Sequence, residues 1–195
     1  MDSYPAAVAR TLIAVAVALA LALAGGGCGA GPGPERFDGA ALPHGVLAPD
    51  FTLTDQNGRA VSLAEQRGHA VLLAFLGSDC RACTLAAQQI RGALDQLAAP
   101  SRVRTLLVDY STATPSPARA AALLDGAALS GRADYLTGAL PELRRVWGAY
   151  RLVLPPSESA IAVLLVDARG YERVEFGLEQ LTPEALSHDI RLLIT

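Results

Sequence analysis

The chain has no lysine; all sixteen of its basic residues are arginine. Against nineteen acidic residues they leave a formal net charge of -3 at pH 7, so the electrostatic footprint of a nucleic-acid binder is missing. Sulfur is also scarce. Three cysteines are too few for a disulfide-dense miniprotein or a four-thiolate zinc site. Only 18% of the residues are charged and 51% are hydrophobic, which suits a packed core. A length of 195 residues fits one ordinary domain plus a targeting or linker segment, not two full domains.

The N-terminus reads as an address. Arg10 is the only cation ahead of an apolar run from Thr11 to Ala24, which ends in Gly25-Gly26-Gly27-Cys28. A short basic region, an apolar core and small residues, in that order, make an export signal over residues 1–27. As a helix the run would span roughly 21 Å, short of the roughly 30 Å hydrocarbon layer, so cleavage is favoured over a lasting span. Cys28 resembles the lipidated cysteine of bacterial lipoproteins, although Gly25 stands where that pattern prefers Leu. An uncleaved anchor and a released protein are the alternatives. The expectation is a lipid-anchored protein at the cell membrane with its domain on the extracytoplasmic side. Residues 28–41 read as a Gly/Pro-rich tether and residues 42–195 as the folded domain.

Within that domain, Phe51 to Thr54 and Ala60 to Leu63 alternate on either side of Asn57-Gly58, a strong hairpin signal. Continuous apolar runs at Ala70 to Leu76, Val103 to Asp109 and Ala160 to Asp167 predict buried strands. Helices are expected at about Arg81 to Leu97, Ala118 to Leu124, Pro141 to Tyr150 and Thr182 to Leu193, and an antiparallel edge strand at Glu172 to Phe176. Strands separated by helices imply parallel crossovers, and the last two strands share a tight turn. The fold class is therefore α/β: a thioredoxin-like three-layer plan with a mixed central sheet, helices on both faces and an N-terminal β-hairpin.

Cys80-Arg81-Ala82-Cys83 lies just after the first buried strand and opens the next helix. Residues three apart on a helix are neighbours, so the two sulfurs can reach bonding distance. The unpaired N–H groups and dipole of a helix N-terminus favour the thiolate of the first cysteine, making Cys80 the attacking sulfur and Cys83 the resolving one. Arg81 should support that thiolate and Asp79 should oppose it. A permanent disulfide, zinc and copper handling are the competing readings of the pair. A bridge this short restrains the unfolded chain little, and zinc would need two more soft ligands.

Ala48-Pro49-Asp50-Phe51, Gly58, Val61-Ser62-Leu63, Gly68 and the strand leading to the cysteines resemble the opening shared by exported thioredoxin-like proteins of the TlpA, peroxiredoxin and Sco/SenC groups. Leu107-Val108-Asp109, Tyr135 to Gly138, Leu143 to Tyr150 and Ser159-Ala160 are similar to Sco/SenC more narrowly. That resemblance implies a membrane-tethered protein that delivers copper to a respiratory oxidase or reduces it as a dithiol, with Cys80 and Cys83 holding Cu(I) in the first case. Two features depart from the family. Its usual pair is CxxxC, and its copper-binding His position is occupied here by Glu158. A carboxylate is a poor ligand for soft Cu(I). His44, His69 and His188 read as surface polar residues, with His44 the best substitute ligand, and Trp147 reads as core. The leading expectation is a thiol-disulfide oxidoreductase that acts on a partner protein's disulfide and needs no cofactor for exchange. The alternative is a copper(I) carrier for a respiratory oxidase subunit.

Overall fold

Three of the strands form for a similar reason: a largely apolar run is best buried on both sides. In the computed structural model, which describes residues 36–114, 116–153 and 161–194, these are β4 (Ala70–Leu76), β5 (Val103–Asp109) and β7 (Ala162–Val166). Every residue of β4 is buried. Its side chains alternate between two cores, as the period of two in a strand requires. Leu72, Ala74 and Leu76 face a core that includes Ala86, Ala87, Ile90, Leu186 and Ile190. Val71, Leu73 and Phe75 face another that includes Phe51, Leu143 and Trp147. The first layer carries helices α1 (Arg81–Asp95), α2 (Pro117–Gly126) and α4 (Pro183–Ile194), and the second carries α3 (Leu140–Ala149). Helices thus cover both faces of the sheet.

The hairpin pairs β2 (Thr52–Thr54) with β3 (Ala60–Ser62) in antiparallel register. Asp55 fastens its turn, accepting the backbone N–H groups of Asn57 and Arg59, both at 2.8 Å, and the Arg59 guanidinium at 2.8 Å. Gly58 supplies the positive φ of 81° that a side chain would resist.

The large sheet has the order β1-β8-β7-β4-β5-β6, with β1 (Ala40–Ala41), β6 (Asp134–Leu136) and β8 (Glu172–Gly177) completing it. It differs from the sequence expectation in three ways. The crossover from β4 to β5 is parallel, but β7 runs antiparallel to β4. Ala162, the first residue of β7, pairs with Phe75 near the end of β4, so β7 starts at the end of the sheet where β4 finishes. Second, β8 is not the edge, because β1 pairs with it, Ala40 opposite Glu175. Third, described residues ahead of Leu42 are bonded to the rest of the fold. The fully buried Asp189 carboxylate of α4 accepts the N–H groups of Asp38 at 2.9 Å and Gly39 at 3.0 Å, so the last residues assigned to the tether are fixed. The export signal, Cys28 and Glu158 lie outside the described residues. Among the described residues no helix is long and apolar enough to cross a membrane.

Candidate functional site

Strand β4 hands over to α1 through Gly77, Ser78 and Asp79, and Cys80 is the N-cap of that helix. Its backbone is extended, with φ -109° and ψ 144°, and its sulfur takes the place of the oxygen that usually caps a helix, accepting the N–H of Cys83 at 2.9 Å. Cys80 and Cys83 form a disulfide, with sulfurs 2.06 Å and Cα atoms 5.1 Å apart. The two sulfurs sit in unlike surroundings. Cys83 is 3% exposed and belongs to the core that contains Ala86 and Ile90, and its sulfur accepts the N–H of Gly77 at 3.1 Å. Cys80 is half-buried and flanked by the exposed residues Asp79 and Arg81. A visitor therefore meets Cys80 first.

The end of β5 forms the floor beside this junction, since Asp109 pairs in register with Leu76. Asp109 is 3% exposed and accepts the Ser111 hydroxyl at 2.9 Å. Burial pushes its carboxyl above the usual range and the Asp79 carboxylate adds to this, while the Ser111 hydroxyl, the nearby Tyr135 hydroxyl dipole and the charge of Arg119 oppose it. Tyr135, on β6, donates to the Leu76 carbonyl at 3.2 Å. Its phenol is held well above its usual range by burial first and then by Asp109. Trp147 of α3 is fully buried, in keeping with its core reading, and donates to the Asp109 carbonyl at 2.9 Å. A Cβ placed on Gly77 would lie 3.6 Å from Asp79 Oδ1 and Ser111 Cβ and 3.7 Å from Cys83 Sγ, so these three groups converge on one small gap.

The structure thus joins Cys80 to Cys83 and puts Asp79 and Arg81 at the rim. Sequence reasoning gave no role to Gly77, Asp109, Ser111 or Tyr135. One signal was present: a carboxylate ending an apolar strand that is parallel to the cysteine-bearing one must fall at the same end of the sheet.

The described histidines do not add a ligand to the cysteine pair in this oxidised state. The two sulfurs are bonded to each other, and among the described residues no group of three potential ligands includes either cysteine. His44 is exposed and His69 half-buried. His188 Nδ1 is engaged with Asp189 at 2.9 Å and Asp38 at 3.4 Å.

Residues 44–122 match the AhpC/TSA family. No curated protein matches the chain significantly. Among solved structures, the chain is similar to copper-bound ScoI of Bradyrhizobium japonicum, with TM-score 0.63 and 23% identity over 76% of this chain and 99% of that one. Apo Sco1 of Thermus thermophilus gives TM-score 0.67 and 18% identity over 83% of this chain and 99% of that one. The thioredoxin domain of a thiol-disulfide oxidoreductase from Bacteroides vulgatus gives TM-score 0.62 and 18% identity over 79% and 99%. These likenesses show the fold: the chain is a thioredoxin-like α/β protein whose structural neighbours include Sco proteins, and its residues 44–122 are similar to the AhpC/TSA family.

Proposed function

We propose that this protein is a thiol-disulfide oxidoreductase of Sco/TlpA type, held at the extracytoplasmic face of the membrane by its N-terminal segment and acting on a partner protein's disulfide. The observation that carries the reading is the asymmetric disulfide at the helix N-terminus, with Cys80 half-buried at the rim and Cys83 in the core. In the reduced protein the Cys80 thiolate attacks one sulfur of the partner disulfide. A mixed disulfide forms, and the other partner sulfur leaves with the electron pair of the broken bond. Cys83 then loses its proton and attacks Cys80. The internal disulfide closes and the second partner sulfur departs as a thiolate that takes up a proton. The protein dithiol has been oxidised and the partner disulfide reduced.

Cys83→Ser stops the sequence after the first attack. The variant is expected to retain a mixed disulfide on Cys80, first with glutathione and then with a partner, of which a respiratory oxidase subunit is the one implied by the sequence resemblance. Wild-type protein that fails to equilibrate with a glutathione buffer would refute the proposal. Titrating the reduced protein with Cu(I) against a competing chelator separates this reading from copper carriage. A carrier keeps the ion against the chelator and loses it on Cys80→Ser, whereas an exchange protein binds no more tightly than a simple dithiol.

A further inference from the structure

One peptide group at the junction is held at both ends. The Leu76 carbonyl accepts two hydrogen bonds, from the Tyr135 hydroxyl at 3.2 Å and from the backbone N–H of Tyr110 at 3.2 Å. The N–H of the same peptide group, carried by Gly77, donates to Cys83 Sγ at 3.1 Å. Hydrogen bonds accepted by an amide carbonyl polarise the amide and strengthen its N–H as a donor, and two of them also fix the plane in which that N–H points. Tyr135 is 1% exposed and reaches across from β6, its place set by the register of Tyr135 with Leu107.

Resting on the exchange reading above, we infer that Tyr135 is a positioning residue for the buried sulfur. Through the Leu76–Gly77 peptide its hydroxyl aims and strengthens the donor that stabilises Cys83 once the disulfide opens. The effect differs between the two redox states. When an incoming thiolate bonds to Cys80, Cys83 leaves with the electron pair of the broken bond. A sulfur carrying that charge accepts a hydrogen bond more strongly than a disulfide sulfur does. Because Cys83 is 3% exposed, water does little to solvate the charge, and the Gly77 N–H is the donor already in place. Strengthening it favours the opened pair, in which Cys83 carries this charge before it takes up a proton.

The test is the equilibrium of full-length protein with reduced and oxidised glutathione. Tyr135→Phe keeps the ring and removes the hydroxyl. It is expected to shift the couple toward the disulfide by about threefold, or ~15 mV more negative, and to slow opening of the bond by glutathione. Tyr110→Phe is the control. It removes the hydroxyl that bonds the Val153 carbonyl but keeps the backbone N–H on Leu76, so its couple should match wild type. A wild-type potential in Tyr135→Phe, or an equal shift in both variants, overturns the inference while leaving the exchange reading intact. Absence of any exchange in wild-type protein would instead be failure of the exchange reading itself. A second measurement needs no variant: the Gly77 amide proton should move downfield and gain exchange protection when the wild-type disulfide is reduced, and an unmoved resonance also overturns the inference.

Discussion

A redox switch has to be inexpensive to open, and the stability cost of reducing this disulfide can be worked from its position. Cys80 and Cys83 are three residues apart, so the loop they close is about as short as a disulfide loop can be. Chain-entropy arguments give such a loop about 2 kcal/mol of stabilisation, acting on the unfolded chain. The N–H groups of Gly77 and Cys83 are carried by the backbone and can still donate to the two sulfurs after reduction, which makes about 2 kcal/mol an upper figure. By the thermodynamic cycle, the folded protein should hold the bond no more than about 30-fold more tightly than the unfolded chain does, or about 40 mV. Urea unfolding of the oxidised protein and of the protein in dithiothreitol, monitored by circular dichroism, measures the difference directly. The expected outcome is a loss of no more than about 2 kcal/mol and a fall in Tm of at most about 8 °C, with cooperativity retained. A loss above about 4 kcal/mol, or collapse of the fold on reduction, would show that the bridge is a structural staple and refute the reasoning.

Three further outcomes follow from named residues. Burial raises the Asp109 carboxyl, so the folded chain holds that proton more tightly than the unfolded one; the stability this lends is complete below the usual carboxylate range and is lost as pH rises through the raised value. Asp109→Asn should therefore be more stable than wild type at neutral pH and equal to it near pH 3, and a constant difference across that window in urea titrations would contradict the account. Trp147→Phe removes the donor to the buried Asp109 carbonyl and some core volume, with an expected loss of about 2–3 kcal/mol by denaturant titration. In Gly39→Ala the new methyl would lie 2.5 Å from Val174 Cγ1 and 2.8 Å from the Phe176 ring. Strand β1 should loosen, with faster hydrogen exchange at Leu42, whose N–H bonds the Arg173 carbonyl at 2.9 Å, and no change in the potential of the Cys80–Cys83 couple.

The features that could be read from the sequence were those with a local cause. β4 announced itself because a seven-residue apolar run has no polar face to turn outward, β5 through the apolar stretch Leu106 to Val108, and the hairpin because Asn57-Gly58 suits a tight turn. The cysteine pair was legible for the same reason: three residues on a helix place two side chains together whatever surrounds them. What was missed depends on distant partners. β6 has three residues and exists because β5 offers it an edge, and Ala40–Ala41 is a strand only because β8 lies alongside it. Neither segment has a pattern of its own. Asp109 and Tyr135 are far from Cys83 in sequence, and parallel register alone brings them to the same end of the sheet. The reversed direction of β7 was illegible because a short apolar strand has the same pattern whichever way it runs.

The fastening of the first ordered residues has a mechanical meaning. Force applied to the chain ahead of Phe37 would fall on the two hydrogen bonds to Asp189 and the short pairing of β1 with β8. Two strands, β8 and β7, separate that point from β4, which leads into the cysteine-bearing helix. A pull applied there would peel a few residues from the sheet's rim before any strain reached the sulfurs.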